Sequence, residues 1–220
     1  MGFHVQHPDP EILGFLYREI FARQCYFFRA DTRTPVIFDC GANVGMATLY
    51  FKWLYPHSRV CSFEPDPANF GVLQTNIKDN GLENVDAHNV ALWDTEGTID
   101  FFSDPEHKML SMSADPQRIS GPAAKVPSRR LSAYITEPID FLKMDIEGAE
   151  YRVLRDLVES GKIALVRKMV IEYHHRIGTQ KSCLSDFLKL LEQSGFDYEI
   201  RAQVYPSVAP YQDILISAER

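Results

Sequence analysis

Two groups of residues in this chain have the types and spacing to do chemistry. The first is the turn Asp39-Cys40-Gly41-Ala42-Asn43-Val44-Gly45, with Glu64 following it. Glycines at 41 and 45 let the backbone approach a ligand closely, and a helix opening behind such a turn presents free N–H groups. The dinucleotide fingerprint G-x-G-x-x-G fails, because counting from Gly41 it needs glycines where Asn43 and Met46 stand. There is no phosphate-loop lysine either, so the turn favours a ligand without a pyrophosphate. Glu64 falls about 20 residues past the turn, where a carboxylate can accept both hydroxyls of a ribose. An Asp-x-Gly-x-x-x-Gly turn followed by this acid is what an S-adenosylmethionine site requires. The alternative role for Glu64, capping the helix behind Asp66-Pro67, explains the acid but not the glycine turn.

The second group lies a hundred residues further on. Asp145 and Glu172 end two strand-like runs, Glu147 follows in the turn after Asp145, and His174 is two residues beyond Glu172. Methyl transfer from a sulfonium to oxygen is an in-line displacement in which a hydroxyl proton must leave. Two mechanisms fit. Asp145, Glu147 and Glu172 could together hold a magnesium-like cation, or His174 could act as the base, oriented by Glu172 or Asp145. The metal-free base is favoured, since three acids near one sheet rim occur in many folds without a metal. Glu147 and Glu150 have a structural reading as first-turn carboxylates favoured by the helix dipole. Of the neighbours His174 and His175, the first shares parity with Glu172.

These residues must be carried by an alternating scaffold. Asp9-Pro10-Glu11 starts an amphipathic helix over 10–28, with Ile12, Leu13, Leu16, Ile20 and Phe21 on one face. Val36-Ile37-Phe38 is a short buried strand. Then come a helix over 44–55, a strand over 59–64, a helix over 67–80 ended by Asn80-Gly81, and a strand over 85–90. After an interruption the alternation resumes: strand 139–145, helix 149–160, strand 168–173, helix 181–194. Two final strands, 198–204 and 211–217, are joined by a Pro206/Pro210 loop and read as an antiparallel pair. The pattern predicts an α/β fold with helices on both faces of a seven-stranded, mostly parallel sheet bearing an antiparallel terminal hairpin. Residues 1–34 read as an N-terminal helix and linker, and 35–220 as the main domain with an inserted hairpin and loop at about 98–130. Within that insertion, His107, Lys108, Met109 and Met112 could line an acceptor pocket or form a flexible surface. Trp53 and Trp93 read as core or cofactor-edge packing. The opening helix has two candidate partners, its own sheet and a second subunit.

Composition bounds the partners. The chain has 220 residues, 45% hydrophobic and 24% charged, and a formal net charge of −7; that acidity disfavours nucleic acid as a partner. Four scattered cysteines, with no C-x-x-C spacing, point to neither zinc nor a disulfide framework, and Cys40 and Cys61 read as buried thiols. No apolar stretch reaches a membrane span, and Met-Gly-Phe-His opens no signal peptide. The expectation is a soluble, cytoplasmic protein with no membrane partner.

Several segments, in order, resemble the FkbM-type S-adenosylmethionine-dependent methyltransferases. They are residues 36–45, Phe63-Glu64-Pro65-Asp66-Pro67, residues 76–82, Asn89-Val90-Ala91-Leu92 and, most specifically, Lys143-Met144-Asp145-Ile146-Glu147-Gly148-Ala149-Glu150. The family often carries Leu-Asp where this chain has Leu131-Ser132, so Ser132 is left out of any site. The resemblance implies a Rossmann-like fold and an O-methyltransferase acting on hydroxyls of sugars, glycans or polyketide-type small molecules. It implies cofactor contacts at Asp39, Gly41, Asn43, Gly45, Glu64, Asn89 and Ala91, with Asp145 shared between cofactor and chemistry. Three rivals are weaker. An N-methyltransferase on a nucleic-acid or protein acceptor often carries Asn/Asp-Pro-Pro-Tyr/Phe where this chain has Asp145-Ile146-Glu147-Gly148. A non-catalytic S-adenosylmethionine-binding module would lack the acids at 145 and 172. A nicotinamide oxidoreductase would need the fingerprint that fails.

Overall fold

The computed structural model describes residues 2–7, 9–103, 112–113, 121–175, 183–202 and 212–220. Its main sheet is built from β1 (Val36–Cys40), β2 (Arg59–Phe63), β3 (Val85–His88), β8 (Phe141–Met144), β9 (Lys168–His175), β10 (Asp197–Ala202) and β11 (Gln212–Glu219). Their order across the sheet is β10-β11-β9-β8-β1-β2-β3. The pairs β1/β2, β2/β3, β1/β8 and β8/β9 are parallel, and β11 runs antiparallel to both β9 and β10. The expected seven strands and terminal antiparallel pair are therefore present. The last strand is not the edge, however: β11 inserts between β9 and β10, which sets Leu215 beside Glu172 and Asp213 beside His174.

Alternate strand residues feed two cores, because successive side chains point to opposite faces. Ile37, Phe141 and Val170 face α2 (Met46–Leu54) and the N-terminal residues Ile20, Phe21, Tyr26 and Phe28. Phe38, Leu142 and Ile171 face α4 (Glu150–Glu159) and α5 (Leu184–Gln193). Each fully buried large apolar side chain here contributes about 1.5–3 kcal/mol. The central strand Phe141-Leu142-Lys143-Met144 is buried at all four positions, including its lysine. Between β2 and β3, α3 (Pro67–Asp79) starts at a cap in which Asp66 accepts from the Asn69 N–H at 2.8 Å.

Several boundaries depart from the sequence pattern. The opening helix is shorter than 10–28. α1 (Pro10–Tyr17) passes into one π-helical turn at Arg18–Ala22, and Gln24, at φ 55°, turns the chain out of the helix. Phe28 then stacks on Phe141 with ring centroids 4.0 Å apart, tying this segment to the middle of the sheet. β3 stops at His88, and the side-chain amide of the next residue, Asn89, donates to the carbonyls of Glu64 and Pro65, at 2.8 and 3.0 Å. The inserted segment forms a second small sheet of β4 (Ala91–Leu92), β5 (Gly97–Ser103), β6 (Met112–Ser113) and β7 (Ala123–Arg129), in the order β4-β7-β5-β6. β5 and β7 are its antiparallel hairpin. Trp53, expected in the core or at the cofactor edge, is 41% exposed on α2. The four cysteines form no disulfide, and Cys40 is fully buried and Cys61 partly so. Among the described residues no helix is long and apolar enough to cross a membrane.

Candidate active site

A cavity of about 630 Å³ opens at the carboxyl ends of β1, β2, β8 and β9. That is where an open parallel sheet presents its ligands. Gly41, Asn43, Glu64, Ala91, Asp145, Glu147, Glu172 and His174 all line it. The strand ends thus bring both chemical groups of the sequence into one space.

At one end the glycine turn is locked by its surroundings. Gly41 sits at φ +82°, and a Cβ there would run into the Asp145 carbonyl oxygen, so only glycine lets β1 and β8 close together at this point. The Gly41 and Ala42 N–H groups both donate to the Phe63 carbonyl, at 3.0 and 2.8 Å. Glu64 is buried, and its two oxygens accept from the Asn43 and Asp66 N–H groups at 2.7 and 2.9 Å. Burial pushes its carboxyl up to about 7, against the opposing pull of those two backbone donors. Asp66, rather than Glu64, caps α3.

Asp39, Gly45 and Asn89, expected as cofactor contacts, lie behind this lining. Asp39 is completely buried, accepts from Thr48 Oγ1 at 2.7 Å and sits 3.4 Å from Lys143 Nζ. Gly45, at φ +95°, opens α2, and a Cβ there would press on Leu73. Asn89 is spent on the two carbonyls already described.

At the other end several acids crowd one imidazole, three of them at its Nε2. Glu147 Oε2, Asp145 Oδ1 and Asp213 Oδ1 lie 3.5, 3.9 and 3.9 Å from His174 Nε2. Glu172 shares the rim, and burial followed by the Asp145 charge pushes its carboxyl up to about 8. The turn carrying these groups has two successive left-handed residues, Glu147 at φ 58° and Gly148 at φ 106°. Glu147 is not a glycine, and such backbone persists where the fold holds it for use. Part of that hold comes from β6, where Ser113 Oγ donates to the Glu147 carbonyl at 2.8 Å.

The match to known proteins settles the class. The model of the methyltransferase FkbM domain matches residues 39–198. The chain belongs to the FkbM methyltransferase family. It is 30% identical to methyltransferase sdnD of Sordaria araneosa, over 94% of this chain and 89% of that protein. It is also 30% identical to the 31-O-demethyl-FK506 methyltransferase FkbM of Streptomyces tacrolimicus, over 89% and 86%. Among solved structures, methyltransferase FkbM from Methylobacillus flagellatus KT superposes with a TM-score of 0.60 at 18% identity. It covers 91% of this chain, which spans 47% of that one. The fold is that of the S-adenosylmethionine-dependent methyltransferases, and the protein is a methyltransferase.

Three residues of this FkbM-family site escape a reading by motif position alone. Lys143, 3% exposed by side chain, donates to the Gly41 and Cys40 carbonyls at 2.5 and 3.3 Å, and stands 3.7 Å from Asp145. Burial alone would strip its proton, but Asp39 and Asp145 hold the ammonium above its usual range. Its signal is a lysine inside an otherwise apolar strand. Glu150, 1% exposed by side chain, sits 2.9 Å from His174 Nδ1. The expected orienters of the imidazole were Glu172 and Asp145; Asp145 faces the other ring nitrogen, at a distance too long for a hydrogen bond. Glu150's signal is an acid on the stripe completed by Val153, Leu154 and Leu157. Asp213 joins only through the insertion of β11, which no local pattern reports.

Two sets of groups have the spacing to hold a cation here: Asp145, Glu147 and His174, and Glu172, His174 and Asp213, with ligand atoms within 4.8 Å of one another. The acids Asp145, Glu147 and Glu172 do not form one set by themselves. His107, Lys108 and Met109 lie outside the described residues. Trp93 lines the cavity with Arg152 stacked on its ring at 4.8 Å, while Ser132 binds Asp156 away from it.

Proposed function

We propose that this methyltransferase is an O-methyltransferase that passes the methyl group of S-adenosylmethionine to a hydroxyl of a polyketide-, sugar- or glycan-type small molecule. The observation that carries the reading is the single cavity joining the glycine turn and Glu64 to the His174 rim. The residues present fit the cofactor. Gly41, Ala42 and Asn43 present the glycine turn to the cavity, and Glu64 keeps lone pairs for ribose hydroxyls beyond the two it gives to backbone donors. Val90, Ala91 and Leu92 offer an apolar wall for an adenine. When bound, the cofactor supplies an electrophilic methyl on sulfur; the chain's own part is to orient the acceptor and take its proton.

His174 takes that role in this reading. Its Nδ1 is engaged by Glu150, so Nε2 faces the cavity and can accept the hydroxyl proton as the O–C bond forms. The surrounding carboxylates favour the imidazolium that results. Both cation-spaced sets require this same imidazole, so a ligand role would remove the base, and the metal-free mechanism is the one proposed. A small-molecule acceptor is supported by the relative named for methylating 31-O-demethyl-FK506.

Calorimetry with S-adenosylmethionine and S-adenosylhomocysteine, beside NAD, tests the cofactor half; tight NAD binding would overturn it. The transfer half is tested with a panel of hydroxylated sugars and polyketides, read by S-adenosylhomocysteine release. In single turnovers His174→Ala is expected to lose about 10²-fold or more in rate while binding S-adenosylhomocysteine as before. Loss of transfer on chelation, its rescue by magnesium and a near-normal His174→Ala would reassign the proton to a metal.

A further inference from the structure

We infer that Glu150 is the positioning residue of this site: it fixes which nitrogen of His174 carries the proton and so makes the cavity-facing nitrogen the acceptor. The inference rests on the reading of His174 as the base and deepens it.

Glu150 opens α4, and its side chain points back under the turn. One oxygen, Oε1, accepts from the Gly148 N–H at 3.0 Å and the Ile146 N–H at 3.3 Å, and faces His174 Nδ1 at 2.9 Å. Backbone donors cannot change their role, so this oxygen is held as an acceptor. Burial works against the charge, but the His174 ring and these donors keep the Glu150 carboxyl below its ordinary range. An ionised acceptor at Nδ1 requires a hydrogen there. The neutral ring then has its lone pair on Nε2, which looks onto Glu147, Asp145 and Asp213. The opposite tautomer would place a hydrogen on the cavity side and leave the imidazole unable to receive the acceptor's proton there.

The arrangement is the carboxylate–imidazole half of a catalytic triad, reached here between the first turn of a helix and the penultimate residue of a strand. Among the described residues the charged groups facing the imidazole are Glu150 from α4, Asp145 and Glu147 from the β8 end and its turn, Asp213 from β11, and Glu172 on its own strand. Among these described acids Glu150 is the one at Nδ1, and it also accepts from backbone N–H groups of the turn that carries Glu147. It therefore couples the geometry of the turn to the proton position of the base.

The test reads the ring directly. The full chain, labelled with ¹⁵N-histidine and saturated with S-adenosylhomocysteine, is followed by long-range ¹H–¹⁵N correlation across pH, with His174→Gln used to assign the signal. Neutral His174 is expected to carry its hydrogen on Nδ1. In Glu150→Gln the titration midpoint should fall by about one pH unit or more, because a negative charge at hydrogen-bond distance is gone. Glu150→Asp, which keeps the charge, should recover part of that fall. A hydrogen on Nε2 of the neutral wild-type ring overturns the inference without need of any variant, so instability of Glu150→Gln does not shield it. An unmoved midpoint in a folded Glu150→Gln overturns it as well, and leaves His174 free to be the base. Undiminished transfer by His174→Ala removes the base reading and this inference with it.

Discussion

The two ends of the cavity are built by opposite means. At the glycine turn, charge is met by backbone. Glu64 holds two N–H groups, the N–H groups of Gly41 and Ala42 share one carbonyl, and the pieces come from the end of β1, the turn into α2 and the end of β2. At the imidazole rim, charge is met by charge. Asp145, Glu147, Glu172 and Asp213 crowd a single ring, brought there by β8, β9 and β11. Lys143 lies between the ends, with its stem in the central strand and its ammonium shared by Asp39, Asp145 and the Gly41 carbonyl. The first end suits a ligand held the same way at every turnover. The second stores like-charge repulsion, which a departing proton can use.

Lys143 is the place to break both ends at once. Lys143→Met fills a similar volume but leaves Asp39 as a buried carboxylate without its cation, the change that costs most in such pairs. Unfolding in urea should show a loss of about 3–5 kcal/mol, with S-adenosylhomocysteine binding weakened as the Gly41 carbonyl loses its donor. A loss below about 1 kcal/mol would mean that Thr48, which donates to Asp39, is support enough.

Glu64 breaks the cofactor end alone. Glu64→Ala removes the acceptor offered to the ribose and should weaken cofactor binding by about 1–3 kcal/mol in calorimetry. His174 chemistry should be little affected once the cofactor is saturating. Unchanged affinity would move the ribose contact elsewhere on the cavity wall.

The contrast also explains what could be read from residues alone. Gly41, Asn43 and Glu64 were legible because a tight turn and the acid after the next strand are local patterns with fixed spacing. The parallel strands that carry both groups were legible as buried apolar runs alternating with helical stripes. Glu150's role was not legible in the same way: its partner is 24 residues away, and a first-turn acid has an ordinary explanation in the helix dipole. Asp213 depends on β11 sliding between β9 and β10, a choice of topology rather than of pattern. The π turn at Arg18–Ala22 continues the apolar periodicity of α1, so nothing local announces the change of winding. Asp39 and Asn89 stand at the right places in the chain, yet their side chains turn inward to hold the turn that others line.

The smallest expected effect sharpens the comparison through pH. Glu172 and Glu64 both have folded-state carboxyls raised by burial, to about 8 and about 7, above their ordinary value near 4.5. The folded protein therefore binds more protons than the unfolded chain between about pH 4.5 and 8, and stability must fall as pH rises through that window. One such proton gives a slope of at most about 1.4 kcal/mol per pH unit. Because like charge contributes to the raised carboxyl at Glu172, Glu172→Gln should flatten the decline in melting temperature of the cofactor-free protein most clearly between pH 7 and 8. Glu64→Gln should flatten it below pH 7. Methyl transfer should move the other way, increasing as Glu172 ionises and adds negative charge beside the imidazolium that forms at His174. A melting temperature that rises from pH 5 to 8 in the wild type, or falls as steeply in Glu172→Gln, would show that the acids of the rim are neutralised by something other than a retained proton.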